Sequence, residues 1–134
     1  MSTPQPPHRR ILLADDDREV RIGIADFLGE LGLDVVQAES GTEAVELALL
    51  ERVHAALLDF QMPGCSGLEA LARMRDRSVV APCIIYSGSL TETLEREILE
   101  AGAFAVLHKP VRPDLLRQEV LRAVASYEPP PGLN

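Results

Sequence analysis

The residues of this chain best equipped for chemistry are acids that follow short apolar runs. Ile11-Leu12-Leu13-Ala14 leads straight into Asp15-Asp16-Asp17, and Ala55-Ala56-Leu57-Leu58 ends on Asp59, ahead of the turn Gln61-Met62-Pro63-Gly64. Two further runs end on groups of a different kind. Cys83-Ile84-Ile85-Tyr86 stops at the hydroxyl of Ser87, and Phe104-Ala105-Val106-Leu107 stops at His108-Lys109-Pro110. An apolar run bounded by turn residues marks a strand covered on both faces. The carboxyl ends of such strands are where open α/β sheets place their ligand crevices. Aspartate after a strand is also ordinary turn chemistry, so Asp59 matters only if other groups reach it.

Gathered in one place, these groups have a definite chemistry. Three carboxylates within a few ångströms repel one another by several kcal/mol, even at an effective dielectric of about 20. Lys109 offsets one charge at most. Such a cluster calls for a hard divalent cation with oxygen ligands, which describes Mg²⁺, with Mn²⁺ an acceptable substitute. A metal there keeps Asp59 ionised and able to attack a phosphoryl group steadied by Lys109 and Ser87, giving an aspartyl phosphate. Asp17 is better read as a solvated acid at a helix N-terminus, where the macrodipole favours it.

The elements that must position these groups follow from periodicity. A helix over about Arg18 to Leu31 carries the stripe Val20, Ile24, Phe27 and Leu31, and Gly32 ends it in the left-handed manner. Val35 to Ala38 is a second, less hydrophobic strand suited to a sheet edge. Capping boxes of the form S-x-x-E open three helices, at Ser40–Glu43, Ser66–Glu69 and Ser89–Glu92. Their expected buried residues are Ala44, Leu47 and Ala48, then Leu68, Leu71 and Met74, then Leu94, Ile98 and Ala101. A last helix from near Pro113 buries Leu116, Val120, Ala123 and Val124. Five strands alternating with five helices predict a flavodoxin-like, doubly wound (βα)5 domain with a parallel sheet and right-handed crossovers. A strand order of 2-1-3-4-5 seats the strand of Asp59 between those of Asp15 and Ser87, with Lys109 next and the chemically silent second strand at the edge. No Gly- or Ser/Thr-rich phosphate loop follows the first strand, which argues against a flavin site.

Composition narrows the partners. The 134 residues suffice for one domain, and a hydrophobic content of 46% with 4% aromatics makes an aliphatic core. Thirteen basic against 21 acidic residues leave a net charge of −8, which disfavours direct contact with nucleic acid or an anionic membrane. Cys65 and Cys83 read as reduced thiols. No signal segment or membrane span is apparent, so the expected location is cytoplasmic. Residues 1–8 and 128–134 are Pro-rich and read as disordered tails around a domain at 9–127.

The assembled motifs resemble the receiver domain of two-component response regulators. They are Ile11 to Asp17, Leu58-Asp59-Phe60-Gln61-Met62-Pro63-Gly64 with Gly67, Ser87-Gly88, and Lys109-Pro110. The resemblance covers about residues 9–127. It implies that Asp59 is the phosphoacceptor, charged by a sensor histidine kinase or a His-containing phosphotransfer protein. Asp15 and Asp16 would be the metal acids, with Asp16 the more direct ligand, and the backbone carbonyl of Gln61 would complete the protein's share of the Mg²⁺ shell. Ser87 would be the switch hydroxyl and Lys109 the phosphate partner, with a cis Lys109–Pro110 bond. Gln61 and Ser89 would tune dephosphorylation. One position departs from the pattern: where receivers commonly carry a Tyr or Phe switch ring three residues before the lysine, this chain has Val106.

The implied protein is a phosphoacceptor rather than an enzyme, monomeric or weakly dimeric, acting on a protein target of its own or as the receiver of a longer regulator. A receiver that serves only as a binding module is a second reading. A haloacid-dehalogenase-type hydrolase is a third, but its D-x-D-x-T/V signature would need Thr or Val where Glu19 stands. His108 alternates away from Lys109 and reads as surface, and His54 reads as a strand boundary. Cys65 has no basic neighbour in sequence to activate it.

Overall fold

The computed structural model describes residues 9–129. Five strands and five helices alternate along the chain: β1 (Arg10–Ala14), α1 (Arg18–Glu30), β2 (Asp34–Ala38), α2 (Gly41–Leu50), β3 (Ala55–Asp59), α3 (Gly67–Asp76), β4 (Cys83–Ser87), α4 (Glu92–Glu100), β5 (Ala105–His108) and α5 (Pro113–Ser126). The sheet is parallel throughout, in the order β2-β1-β3-β4-β5. This is the flavodoxin-like arrangement expected from the alternation, with β2 at an edge.

The period of two in the strands divides the core into two halves. Leu12, Leu58 and Ile85 face one way, toward Ala44, Leu71, Met74 and Ile98 of α2, α3 and α4. Ile11, Leu13, Leu57 and Ile84 face the other way, toward Leu28 of α1 and Val120 and Ala123 of α5. β3 is buried along its whole length, Asp59 included. Truncating a side chain such as Leu57 would leave a cavity and cost about 3 kcal/mol. β3 and the equally buried β4 are therefore firmly seated supports for the residues at their ends.

Most element boundaries match the periodicity, and the exceptions are local. In α1 the buried face is Arg21, Ala25 and Leu28, while Val20 is exposed at the surface. The expected stripe was turned by one position because Arg21, scored as polar, is drawn inward by hydrogen bonds. Its guanidinium donates to the Asp15 carbonyl at 2.9 Å and to Gln37 Oε1 at 3.2 Å, and it meets Glu39 Oε1 at 3.4 Å. The Ser66 box is complete, whereas Glu43 turns its carboxylate to the N–H of Glu39 instead of Ser40. The third box does not form. α4 is capped by Thr91, whose hydroxyl accepts from Leu94 N, and Ser89 instead gives its N–H to Ser87 Oγ. Ala101, expected in the core, is the exposed C-cap of α4. Gly32 has the expected positive φ of 86°. β5 begins one residue later than expected, at Ala105. The expected tail at 1–8 lies outside the described residues, as does 130–134 of the tail expected at 128–134, whose Glu128 and Pro129 carry no regular structure.

Candidate functional site

The carboxyl ends of β1, β3, β4 and β5 converge as the strand order requires. Asp15 follows β1 and is fully buried, Asp59 closes β3 at 3% exposure, and Ser87 closes β4 at 1%. Register places Asp59 beside Tyr86, and Ser87 beside His108. Carboxylate oxygens of Asp15, Asp16 and Asp59 all lie within 4.8 Å of one another. The Lys109 ammonium stands 3.3 Å from Asp59 Oδ1 and 3.7 Å from Asp15 Oδ2. The Lys109–Pro110 bond is cis.

The electrostatics follow from this packing. Burial, then the charge of Asp15, push the Asp59 carboxyl up to about 6, against the opposing pull of Lys109. One ammonium is not enough for three acids, and the set of hard oxygen donors fits a divalent cation such as Mg²⁺. Gln61 donates its N–H to Asp59 Oδ1 at 3.3 Å, so that oxygen is already engaged by two partners. Every buried polar side-chain atom among the described residues has a partner, so Asp59 Oδ2, which has none among them, is open to solvent. It is the oxygen free to meet a cation or a phosphorus atom.

The backbone around Asp59 is tight. A Cβ at Gly67 would sit 2.5 Å from the Asp59 carbonyl oxygen, so only glycine lets α3 start this close to β3. A Cβ at Gly41 would meet the Cys65 carbonyl at 2.2 Å, which ties α2 to the same loop. Cys65 is buried there, and burial raises its thiol above the ordinary range, so it is a packing residue. Cys83 is pushed up to about 11, again mainly by burial.

The remaining expectations are placed as follows. Asp17 is the N-cap of α1, accepting from the N–H groups of Glu19 and Val20. His108 is exposed and points to Glu95, 3.3 Å away, rather than to the acids. His54 precedes β3, accepts the Arg10 N–H at Nδ1 and packs edge-on to Tyr127, outside the cluster. Val106 is half-buried on the α4 side of the sheet. Two residues of the site were not singled out from the sequence. Tyr86, fully buried, donates its hydroxyl to Asp15 Oδ2 at 2.5 Å, and Lys109 lies 4.9 Å from its ring centroid. Burial and this hydrogen bond keep the phenol protonated. Arg21 holds the Asp15 carbonyl. The available signal for Tyr86 was a lone phenol at the end of an otherwise aliphatic strand, one residue before the hydroxyl.

Comparison with known proteins bears on the whole arrangement. The chain matches the family model described as the response regulator receiver domain over residues 11–121. It is 38% identical over 119 residues to the transcriptional activator protein ExaE of Pseudomonas putida, covering 87% of this chain and 56% of that protein. It spans about half the length of several curated relatives that it matches and 30% of two others. Among solved structures, the Francisella response regulator 1452 receiver domain superposes with a TM-score of 0.84 at 28% identity, over 88% of this chain and 98% of that one. The receiver domain of sensor histidine kinase PA1611 from Pseudomonas aeruginosa PAO1, which holds a magnesium ion in its active-site cleft, gives 0.78 at 29%, over 90% and 100%. None of the described helices is long and apolar enough to cross a membrane. Matched in sequence across most of its described length and in fold to solved receivers, the chain belongs to the family of response regulator receiver domains.

Proposed function

We propose that this chain is a phosphorylatable receiver in which Asp59 takes a phosphoryl group from the phosphohistidine of a sensor histidine kinase or phosphotransfer protein. The observation that carries the reading is a trio of acids whose carboxylate oxygens lie within 4.8 Å of one another, two of them buried and sharing the Lys109 ammonium. Asp15, Asp16, Asp59 and the backbone carbonyl of Gln61 would hold Mg²⁺, which supplies charge neutralisation for the acids and the incoming phosphate. An Asp59 carboxylate oxygen forms the P–O bond as the P–N bond to the donor imidazole breaks, and the imidazole keeps the electron pair and takes up a proton. Lys109, already against Asp59, pairs with the phosphoryl oxygens. Ser87, one residue beyond the partner of Asp59 on β4, offers its hydroxyl to the same group and senses its arrival. With Val106 aliphatic, the signal passes to the α4 side without an aromatic ring at that position.

The reading brings with it a cytoplasmic location, a protein target and, from the net charge of −8, no direct nucleic-acid contact by this domain. The lengths of the relatives favour a second organisation, in which the same receiver is one module of a longer regulator with its own output domain. The hydrolase reading has no comparable support, since Glu19 stands where its signature needs Thr or Val.

The test is phosphorylation by a small phosphodonor with and without Mg²⁺, followed by intact mass. The expected product is a Mg²⁺-dependent, acid-stable and base-labile adduct that is absent from Asp59→Asn. An adduct of the same extent in that variant overturns the acceptor assignment.

A further inference from the structure

Tyr86 is the largest fully buried side chain of the domain, and it touches two parts of the site at once. Its hydroxyl donates to Asp15 Oδ2 at 2.5 Å, while the other oxygen of that carboxylate accepts the N–H of Asp17 at 2.9 Å. With a donor on each oxygen, the plane of the carboxylate is set. A hydrogen bond to a carboxylate is short and strong, and the fully buried ring below belongs to the half of the core that holds Leu13, Leu57 and Leu107. The same ring lies under Lys109, whose ammonium is 4.9 Å from the centroid, a cation–π distance. A Val, Ile or Leu at this position, as at Ile84 and Ile85 of the same strand, would do neither task.

We propose that Tyr86 is a positioning residue for the metal acids, its hydroxyl presetting the Asp15 carboxylate for a divalent cation while its ring supports the Lys109 ammonium. The proposal rests on the receiver reading above. Tyr86 itself touches neither metal nor phosphate: its hydroxyl acts through Asp15 and its ring through Lys109. Phenylalanine keeps the ring under Lys109 and removes the hydroxyl, so one substitution separates the two tasks.

The experiment is calorimetric titration of MgCl2 into the full 134-residue chain, beside Tyr86→Phe, Asp15→Asn and the double variant. Loss of a group that orients a metal ligand commonly weakens binding ten- to a hundredfold, so Tyr86→Phe is expected to weaken Mg²⁺ by about tenfold. In the Asp15→Asn background the same substitution should change affinity by less than about twofold, the limit of independent additivity. Phosphodonor labelling of Tyr86→Phe should regain the wild-type extent when Mg²⁺ is raised in proportion. An equal loss in both backgrounds, or an unchanged affinity in Tyr86→Phe beside normal wild-type binding, overturns the role of the hydroxyl alone. Wild-type protein that binds no Mg²⁺ overturns the receiver reading and this inference with it. Should Tyr86→Phe fail to fold, Tyr127→Phe leaves Tyr86 as the one tyrosine. Its emission should then follow the calorimetric Mg²⁺ curve, and emission that stays constant while Mg²⁺ binds refutes the coupling.

Discussion

The two ends of the same parallel sheet treat charge in opposite ways. At the amino end, Arg10 reaches Asp34 at 2.9 Å and Glu51 at 2.8 Å, with all three side chains a third to a half exposed. Nearby, a cavity of about 300 Å³ is lined by Leu49, Leu50, Val80 and Tyr127, without a cluster of acids. At the carboxyl end, Asp15 and Asp59 are buried and share the single ammonium of Lys109. In each of these two sets of contacting side chains the acids outnumber the base. Water screens the first group far more than the second, so it is the second that stores repulsion a cation can relieve. The chemistry of the domain comes from where its charges are buried, not from how many there are.

The strongest way to break this contrast is to remove the buried charge. Burial and Asp15 raise the Asp59 carboxyl from an ordinary 3.8 to about 6. Between these values the folded chain holds a proton that the unfolded chain has released, so stability falls as pH rises from about 4 to about 6 and levels off above. The full effect is up to about 3 kcal/mol. Metal-free Asp59→Asn should therefore melt higher than wild type at pH 7, and the difference should vanish near pH 4. Parallel melting curves across that range would show that the charge is not strained.

The next prediction uses the cation. Mg²⁺ should raise the melting temperature of wild type, by about 2.7 kcal/mol of stabilisation at a hundred times its dissociation constant. Asp16→Asn should blunt the rise, because Asp16 is the exposed member of the trio and the one most open to solvent. An undiminished rise removes Asp16 from the metal shell. The smallest effect belongs to the other end of the sheet. Arg10→Ala should cost only about 0.5–1 kcal/mol, as partly exposed pairs do, and leave both the Mg²⁺ response and phosphodonor labelling untouched. A change in labelling would mean that the ends of the sheet are coupled after all.

Much of this molecule was legible in one dimension. The alternation of short aliphatic runs with 3.6-residue stripes determined five strands, five helices and a parallel sheet, because each pattern buries its apolar side in only one way. The acids, hydroxyl and lysine at the strand ends were legible for the same reason, since a residue that closes a buried strand in an open α/β sheet lies at the crevice. What sequence alone did not decide were contacts set by packing between distant segments. Arg21 lies on the buried face of α1 because Asp15, Gln37 and Glu39 wait there to accept its hydrogen bonds, and hydrophobic periodicity scores such a residue as surface. Thr91 rather than Ser89 caps α4, and the Ser89 N–H is turned instead to Ser87 Oγ. Tyr86 meets Asp15 across 71 residues of chain, and only the juxtaposition of β4 and β1 across β3 puts a phenol on a buried carboxylate. Local pattern chooses the element and its ends, whereas the partners of a buried polar group exist only after the chain has closed around it.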